Sequence, residues 1–533
     1  MSGRGRLASA LAGDASRDTA LTAAAVLVAA AMLAPLAWLL LDVRAIGPRA
    51  FDLMFADQTL RVLGRSVALV AVVTVGTVVL GVSLAVLTVQ TDLPFRRFWT
   101  VVLALPLVVP SYLGAFAALS AFGTGGMYSE LLGTTIPPLE GFTGTAVVMT
   151  LYTYPYVFLT TRASLLSLDA SLVRAARSLD ATRREAFRRV TLPQITPGVG
   201  AGALLVALYT LSDFGTPTFM GLQVFTQVIH SRYTGLAPDY AILLSLQLLA
   251  VIVVILTLES RIGADRSGAY ASGGRRGATT FSLGRWRYPV MALPVAVATA
   301  ALAVPISIFV LLLFRSDPAY GTEIVFSWSY AWNSVFVSVA AAVVAVLAAL
   351  PIALRSASSE SRIARIADRG AYVGFAVPGI VLGIALIRFG LHVTPWMYDT
   401  LMIIVFAYVI RFMPQAVGSI RTSTLQVDSN LVAAARTLGK SRPAAFARVT
   451  LPLIAPGIAT GAALVFLTAM KELPATLMLQ PHGFKTIVLY IWEVREAGLY
   501  SRAAVPALVL IFVSALSMAV ILLSEASGER GGG

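Results

Sequence analysis

Residues 169–205 read DASLVRAARSLDATRREAFRRVTLPQITPGVGAGALL, and residues 428–464 read DSNLVAAARTLGKSRPAAFARVTLPLIAPGIATGAAL. The two stretches align without a gap at a constant offset of 259 residues, from Asp169 to Asp428, close to half of the 533-residue chain. The shared positions are not only apolar. They include Asp169/Asp428, Arg177/Arg436, Arg189/Arg448, Pro193/Pro452 and Pro197/Pro456. Leu and Val recur by chance in a greasy chain, but a long polar pattern in register does not. Self-similarity at a fixed period marks one structural unit made twice.

Composition sets the medium. The chain is 58% hydrophobic and 12% charged, against about 25% charged residues in a soluble domain. This is an all-α polytopic membrane protein. Cysteine is absent, which excludes disulfides, thiolate metal sites and Cys nucleophiles. Histidine is confined to His230, His392 and His482, too few for a histidine-built catalytic or metal centre. The net charge of +14 would point to nucleic acid in a soluble protein. In a membrane protein, Arg crowds the cytoplasmic loops, so membrane lipid and not nucleic acid is the expected contact.

Apolar runs place about twelve spans, at 21–41, 67–89, 99–122, 143–159, 198–220, 240–258, 290–314, 334–354, 371–389, 400–417, 457–479 and 503–523. Each run is near the roughly 20 residues that cross a bilayer. Arg-rich segments precede the first span and follow every even-numbered span through the tenth, which puts that side and both termini in the cytoplasm. Residues 123–142 hold no Lys or Arg and lie outside. A Gly-, Ser- and Arg-rich stretch at 259–288 reads as a flexible cytoplasmic linker between halves. Six spans per half make the repeat parallel, about an axis along the membrane normal.

Within each copy an apolar stripe recurs at i, i+3, i+4 and i+7: Leu172, Ala175, Ala176, Leu179, and Leu431, Ala434, Ala435, Leu438. That spacing gives one narrow face on a short helix. Asp169 and Asp428 stand where N-caps are expected. Gly439 suits the left-handed residue that closes a helix. Asp180, its counterpart, suits that geometry less well. A second short helical piece ends at Pro193 and Pro452, where a membrane helix can begin because a first-turn proline loses no bond. One such loop would read as an interfacial helix resting on headgroups. Two copies with the same small-residue stripe read instead as docking elements for two partner molecules or one symmetric dimer.

These stretches resemble the EAA loop of binding-protein-dependent ABC importer permeases. The matches are Ala175-Ala176 with Leu192-Pro193, and Ala434-Ala435 with Gly439 and Leu451-Pro452. Arg174 and Ala433 replace the motif's Glu, and Asp180 replaces its Gly in the first copy. The resemblance implies permease domains at 62–258 and 333–524. Around them lie a tail at 1–20, a first helix and external segment at 21–61, the linker, a seventh helix and external segment at 289–332, and a tail at 525–533. It implies that Leu172, Ala175, Ala176, Arg177, Leu179, Asp180, Leu431, Ala434, Ala435, Arg436, Leu438 and Gly439 belong to coupling helices. These would sit on two copies of a cytoplasmic ATPase subunit. ATP and Mg would be bound by those subunits, with no cofactor on this chain and no catalytic residue. An extracytoplasmic binding protein would deliver the substrate.

Fused two-domain ferric-iron permeases are the nearest likeness, through Ser212-Asp213-Phe214-Gly215, the run from Lys471 to Thr476, and the run from Gly483-Phe484 to Tyr500. Thiamine, polyamine, sulfate and phosphonate permeases are the alternatives within the class. A twelve-helix secondary transporter is the alternative outside it. No phosphate loop of the form G-x-x-x-x-G-K-[ST] is present, so ATP work would enter from another chain.

Asp213 and Glu472 occupy equivalent positions, each about midway along an apolar run, and Lys471 adjoins Glu472. Charges inside a membrane face a cavity or one another. They either line the translocation path or form a structural pair, such as Lys471 with a carboxylate from the other half. They are not read as a metal site. Pro110 and Pro378, in matching Val-Pro contexts, can break their helices and free carbonyls along a path, or simply kink them. Arg162, Arg388 and Arg411 are read as helix-end residues that snorkel to the interface.

Overall fold

The computed structural model describes residues 3–47, 49–124, 126–168, 170–180, 182–264, 280–315, 325–358 and 362–530. Asp169, linker residues 265–279 and the last three residues lie outside the described residues. The described chain is helical, with one isolated parallel bridge between Thr91 and Phe281. Nine of its helices are long and apolar enough to cross a membrane, or eleven when two sharply bent pairs each count as one span. The expected fourth span is the helix Gly141–Ser167, which is not among those eleven. At 1.5 Å per residue its 27 residues reach about 40 Å. Its Thr- and Tyr-rich middle lowers its apolarity. A helix surrounded by protein can carry such residues when their hydroxyls are bonded: Tyr154 Oη donates to the Leu103 carbonyl at 2.8 Å, and Thr153 Oγ1 to Met149 at 2.6 Å.

The compact units do not follow the two halves of the chain. One unit holds residues 1–45, 322–497 and 512–533; the other holds 46–321 and 498–511. In the first unit the N-terminal helix Gly3–Asp42 packs on Trp328–Ser358, Arg362–Ala376 and Gly379–His392. Arg388 Nε meets Asp42 Oδ2 at 2.6 Å, and Arg355 Nε donates to Thr22 Oγ1 at 2.8 Å. In the second unit, Val304–Leu312 packs on Ser111–Phe122, and Tyr152 Oη donates to the Ala301 carbonyl at 3.0 Å. The leading apolar helix of each half therefore sits in the unit built mainly from the other half.

Both copies of the repeated stretch continue into a membrane helix through a π-helical turn, Phe187–Thr191 and Phe446–Thr450. Pro193 and Pro452 come two residues later. Proline has no N–H and its ring clashes with the carbonyl four residues back; widening one turn relieves that clash. Thr299–Ala303 does the same before Pro305. The expectation that a membrane helix starts afresh near residues 198 and 457 is therefore corrected. One continuous 29-residue run spans Arg184–Ser212, and another Arg442–Met470.

Small residues let these helices approach their neighbours. A Cβ on Gly198 would lie 2.0 Å from Ser164 Oγ, and one on Gly457 2.1 Å from Ser423 Oγ. One turn on, Gly202 abuts Val157 and Gly461 abuts Ala416. Each half thus carries a G-x-x-x-G face, the spacing that admits close backbone contact between membrane helices.

Candidate functional site: paired loop helices and two charged helix breaks

The two loop helices are Ala170–Ser178 and Ser429–Thr437, nine residues each. The four stripe residues match in exposure from one copy to the other. Leu172 is 48% exposed and Leu431 49%; Leu179 is 82% exposed and Leu438 80%. Ala175 and Ala434 are exposed, while Ala176 and Ala435 are half-buried. Arg177 lies on the first helix, and Arg436 is exposed on the second. The apolar stripe is thus left exposed in the same way in both copies.

The ends of these loops differ. Asp428 caps the second helix, its Oδ1 accepting from Asn430 N at 2.9 Å. Gly439 closes it with φ +80°. Asp180 takes the same left-handed conformation, φ 61°, so the first loop keeps the turn without the glycine. Asp is among the few side chains that visit this region routinely. The next short helix, Arg183–Ala186, begins with a capping box. Glu185 Oε2 accepts from Thr182 N at 2.9 Å, and Thr182 Oγ1 accepts from Glu185 N at 3.3 Å. Those bonds hold the Glu185 carboxyl below its ordinary value. The second copy has Arg442–Ala445 and no Glu there; Pro443 pre-sets the first turn instead.

Asp213 and Glu472, each about midway along an apolar run, lie where helices end. Leu192–Ser212 stops at Asp213, and Leu451–Met470 stops at Lys471, its C-cap, just before Glu472. A short helix succeeds each break, Gly215–Phe219 and Pro474–Leu479. A hydropathy window spans such a break without registering it.

Each carboxylate caps the short helix after its break and also reaches one broken span. Asp213 Oδ1 accepts from Gly215 N at 3.1 Å, and its Oδ2 accepts from Ser111 Oγ at 2.9 Å. Ser111 Oγ and Tyr209 Oη lie 2.9 Å apart. Glu472 Oε1 accepts from Ala475 N at 3.1 Å and from Arg411 Nη1 at 2.6 Å. The helix-end reading of Arg411 is thereby overturned: it sits within Leu401–Leu425, pairs with Glu472, and leaves only 14% of its side chain exposed. Arg388 pairs with Asp42.

Ser111 comes directly after Pro110, and Gly379 directly after Pro378. At these prolines the helix direction turns by 91° and 110°. Both prolines have extended ψ, 136° and 139°, so the new helix starts there and the chain cannot run straight through. A Cβ on Gly379 would lie 2.0 Å from Arg411 Nη1 and 2.4 Å from Glu472 Oε1. Each half thus brings its proline break, its carboxylate and a donor to one place. Arg411 was open to detection as a charge in mid-span. Ser111, Tyr209 and Gly379 offered no signal of their own. Among the described residues, no three His, Cys, Asp or Glu come together as a metal-holding group.

Comparison with known proteins decides the family. The family of binding-protein-dependent transport system inner membrane components matches residues 77–263 and 345–527, two copies covering more than half of the chain. The chain belongs to that family. This transport component is 28% identical over 506 residues to the Fe(3+)-transport system permease protein FbpB 2 of Haemophilus influenzae, covering 93% of this chain and 96% of that protein. It is 24% identical over 488 residues to the ferric transport system permease protein FbpB of Actinobacillus pleuropneumoniae, covering 87% and 71%. The molybdenum transport system permease protein ModB of Mycobacterium tuberculosis is 32% identical over 237 residues, 41% of this chain and 86% of that protein.

Proposed function

We propose that this chain is the membrane subunit of an ATP-driven importer of ferric iron, supplied by an extracytoplasmic binding protein and driven by two copies of a cytoplasmic ATPase subunit. The observation that carries the ATPase part is the pair of loop helices with equal apolar exposure. One ATPase subunit docks on Leu172, Ala175, Ala176, Arg177, Leu179 and Asp180. The other docks on Leu431, Ala434, Ala435, Arg436, Leu438 and Gly439. ATP and Mg belong to those subunits, and this chain performs no hydrolysis. Both termini lie in the cytoplasm with these loops. Closure of the ATPases moves the loop helices, and the continuous helices behind the π-turns carry that motion to the breaks at Asp213 and Lys471–Glu472. There, with Pro110 and Pro378, the charges gate the path. The iron assignment is supported by two ferric-transport relatives, one aligned over 93% of this chain and the other over 87%.

Ala176→Glu with Ala435→Glu is expected to abolish transport and ATPase co-purification while membrane insertion persists. Retained transport in that double variant would sink the docking assignment. The substrate is tested separately, by identifying the ligand held by the cognate binding protein. Molybdate or sulfate there would overturn the iron assignment and leave the docking assignment standing.

A further inference from the structure

A cavity of about 360 Å³ lies beside the first loop helix. Its walls are mainly apolar: Val86, Val173, Ala186, Phe187 and Phe281. Gln90 and Thr191, both buried, Thr280 and two exposed cations, Arg174 and Arg184, complete the lining. Five pieces of chain build it: the end of Asp57–Gln90, the loop helix, the short helix Arg183–Ala186, the π-turn, and linker residues 280–281. That last segment is held in place. Phe281 N donates to the Gln90 carbonyl at 2.9 Å, and Leu283 N to Asp92 Oδ1 at 2.8 Å. Neither Arg174 nor Arg184 forms an ion pair among the described residues.

The second copy of the loop has Ala433 and Pro443 at the positions of these two arginines, so its equivalent surface lacks both charges. Next to the cavity, sharing Thr280, is an open depression lined by Arg96, Arg97 and Arg287. Phe95, Phe98, Trp286 and Tyr288 of the same stretches are exposed. Arginines interleaved with exposed aromatic rings at the end of a membrane helix match the make-up of the headgroup layer. A free inorganic anion gains nothing from apolar walls, and a zwitterionic lipid brings no net charge to two guanidinium groups.

We propose that this cavity binds one anionic phospholipid, its phosphate on Arg174 and Arg184 and its apolar part against Val86, Phe187 and Phe281. The binding stands independently of the function proposed above. Only its consequence, that lipid charge tunes the first loop and not the second, rests on the docking reading, because Val173 and Arg174 belong to that helix.

The test uses the full chain purified in mild detergent without any ATPase subunit, titrated with phosphatidylglycerol or phosphatidylcholine and read by native mass spectrometry. One tightly held phosphatidylglycerol is expected. Arg174→Ala with Arg184→Ala should weaken it about thirty-fold, since a basic residue near an anionic lipid is worth roughly five-fold. Val86→Phe with Val173→Phe fills the cavity and should remove the same lipid with both arginines in place. Lys440→Ala with Arg442→Ala removes equal charge from the other loop and should leave it bound. Equal affinity for phosphatidylcholine, or an unchanged affinity in the first double variant, overturns the site. Binding of inorganic phosphate with the affinity of phosphatidylglycerol would assign the cavity to a free anion and overturn the lipid. Displacement of phosphatidylglycerol when an ATPase subunit is added would mean that a protein surface belongs there, and would overturn it as well.

Discussion

Asp213 and Glu472 stand at the same position in two copies of one unit, and each ends a helix beside a proline break. Their partners differ. Asp213 is met by a hydroxyl, Ser111, and by backbone N–H groups. Glu472 is met by a guanidinium, Arg411. The residue at the position of Arg411 in the first half is Tyr152, which bonds a carbonyl elsewhere. Duplication therefore kept the carboxylate at the break and let the donor change. Space changed with it: the second half has Gly379 where the first has Ser111, because Arg411 fills the volume of a side chain there.

The largest effect should come from separating the ion pair. Arg411→Met leaves a buried carboxylate alone and is expected to cost about 3–5 kcal/mol, read as a steep drop in thermal unfolding temperature in detergent. Adding Glu472→Gln should restore most of it. If Arg411→Met is neutral, the two breaks do not differ in the way described. A smaller effect is expected from Gly379→Ala. The added carbon meets both members of the pair, and overpacking of this kind costs about 1–3 kcal/mol. A Gly379→Ala protein as stable as the parent would show that the pair has room to shift.

The smallest effect compares the loops instead of the breaks. Glu185 has its carboxyl lowered by Thr182, so its contribution is present above the unfolded value, about 4.3, and is lost as pH falls through the lower folded value. Amide protection in 182–186, measured relative to the intrinsic exchange rate at each pH, should therefore fall below about pH 4, while that in 441–445, started by Pro443, should not change over that range. Parallel behaviour of the two loops would remove the capping box from the account.

Much of this was readable from residues alone, and the rest has identifiable causes. The duplication was legible because polar positions repeat in register. The breaks at Pro110 and Pro378 were legible because proline acts locally. The left-handed turn at Gly439 was legible for the same reason, whereas Asp180 takes the same turn without the residue that announces it. Arg411 was misplaced because its partner lies 61 residues away, beyond any local pattern. The ends of the helices at Ser212 and Met470 were hidden because apolar residues continue past them. The fourth span was legible at 143–159 and is a helix there, although its Thr and Tyr make it less apolar than its neighbours. The grouping of the N-terminal helix with the second half has no signature in periodicity, which reports which face of a helix is apolar and not what will cover it.

That grouping sets a clock. Asp42 waits for Arg388, 346 residues later, and Thr22 for Arg355, 333 residues later. At roughly 5–20 residues per second of synthesis, the N-terminal helix spends on the order of 20–70 s in the bilayer before its partners exist. Lipid, the translocation machinery or a chaperone must cover it during that interval. The unit it joins can close only when most of the chain has been made.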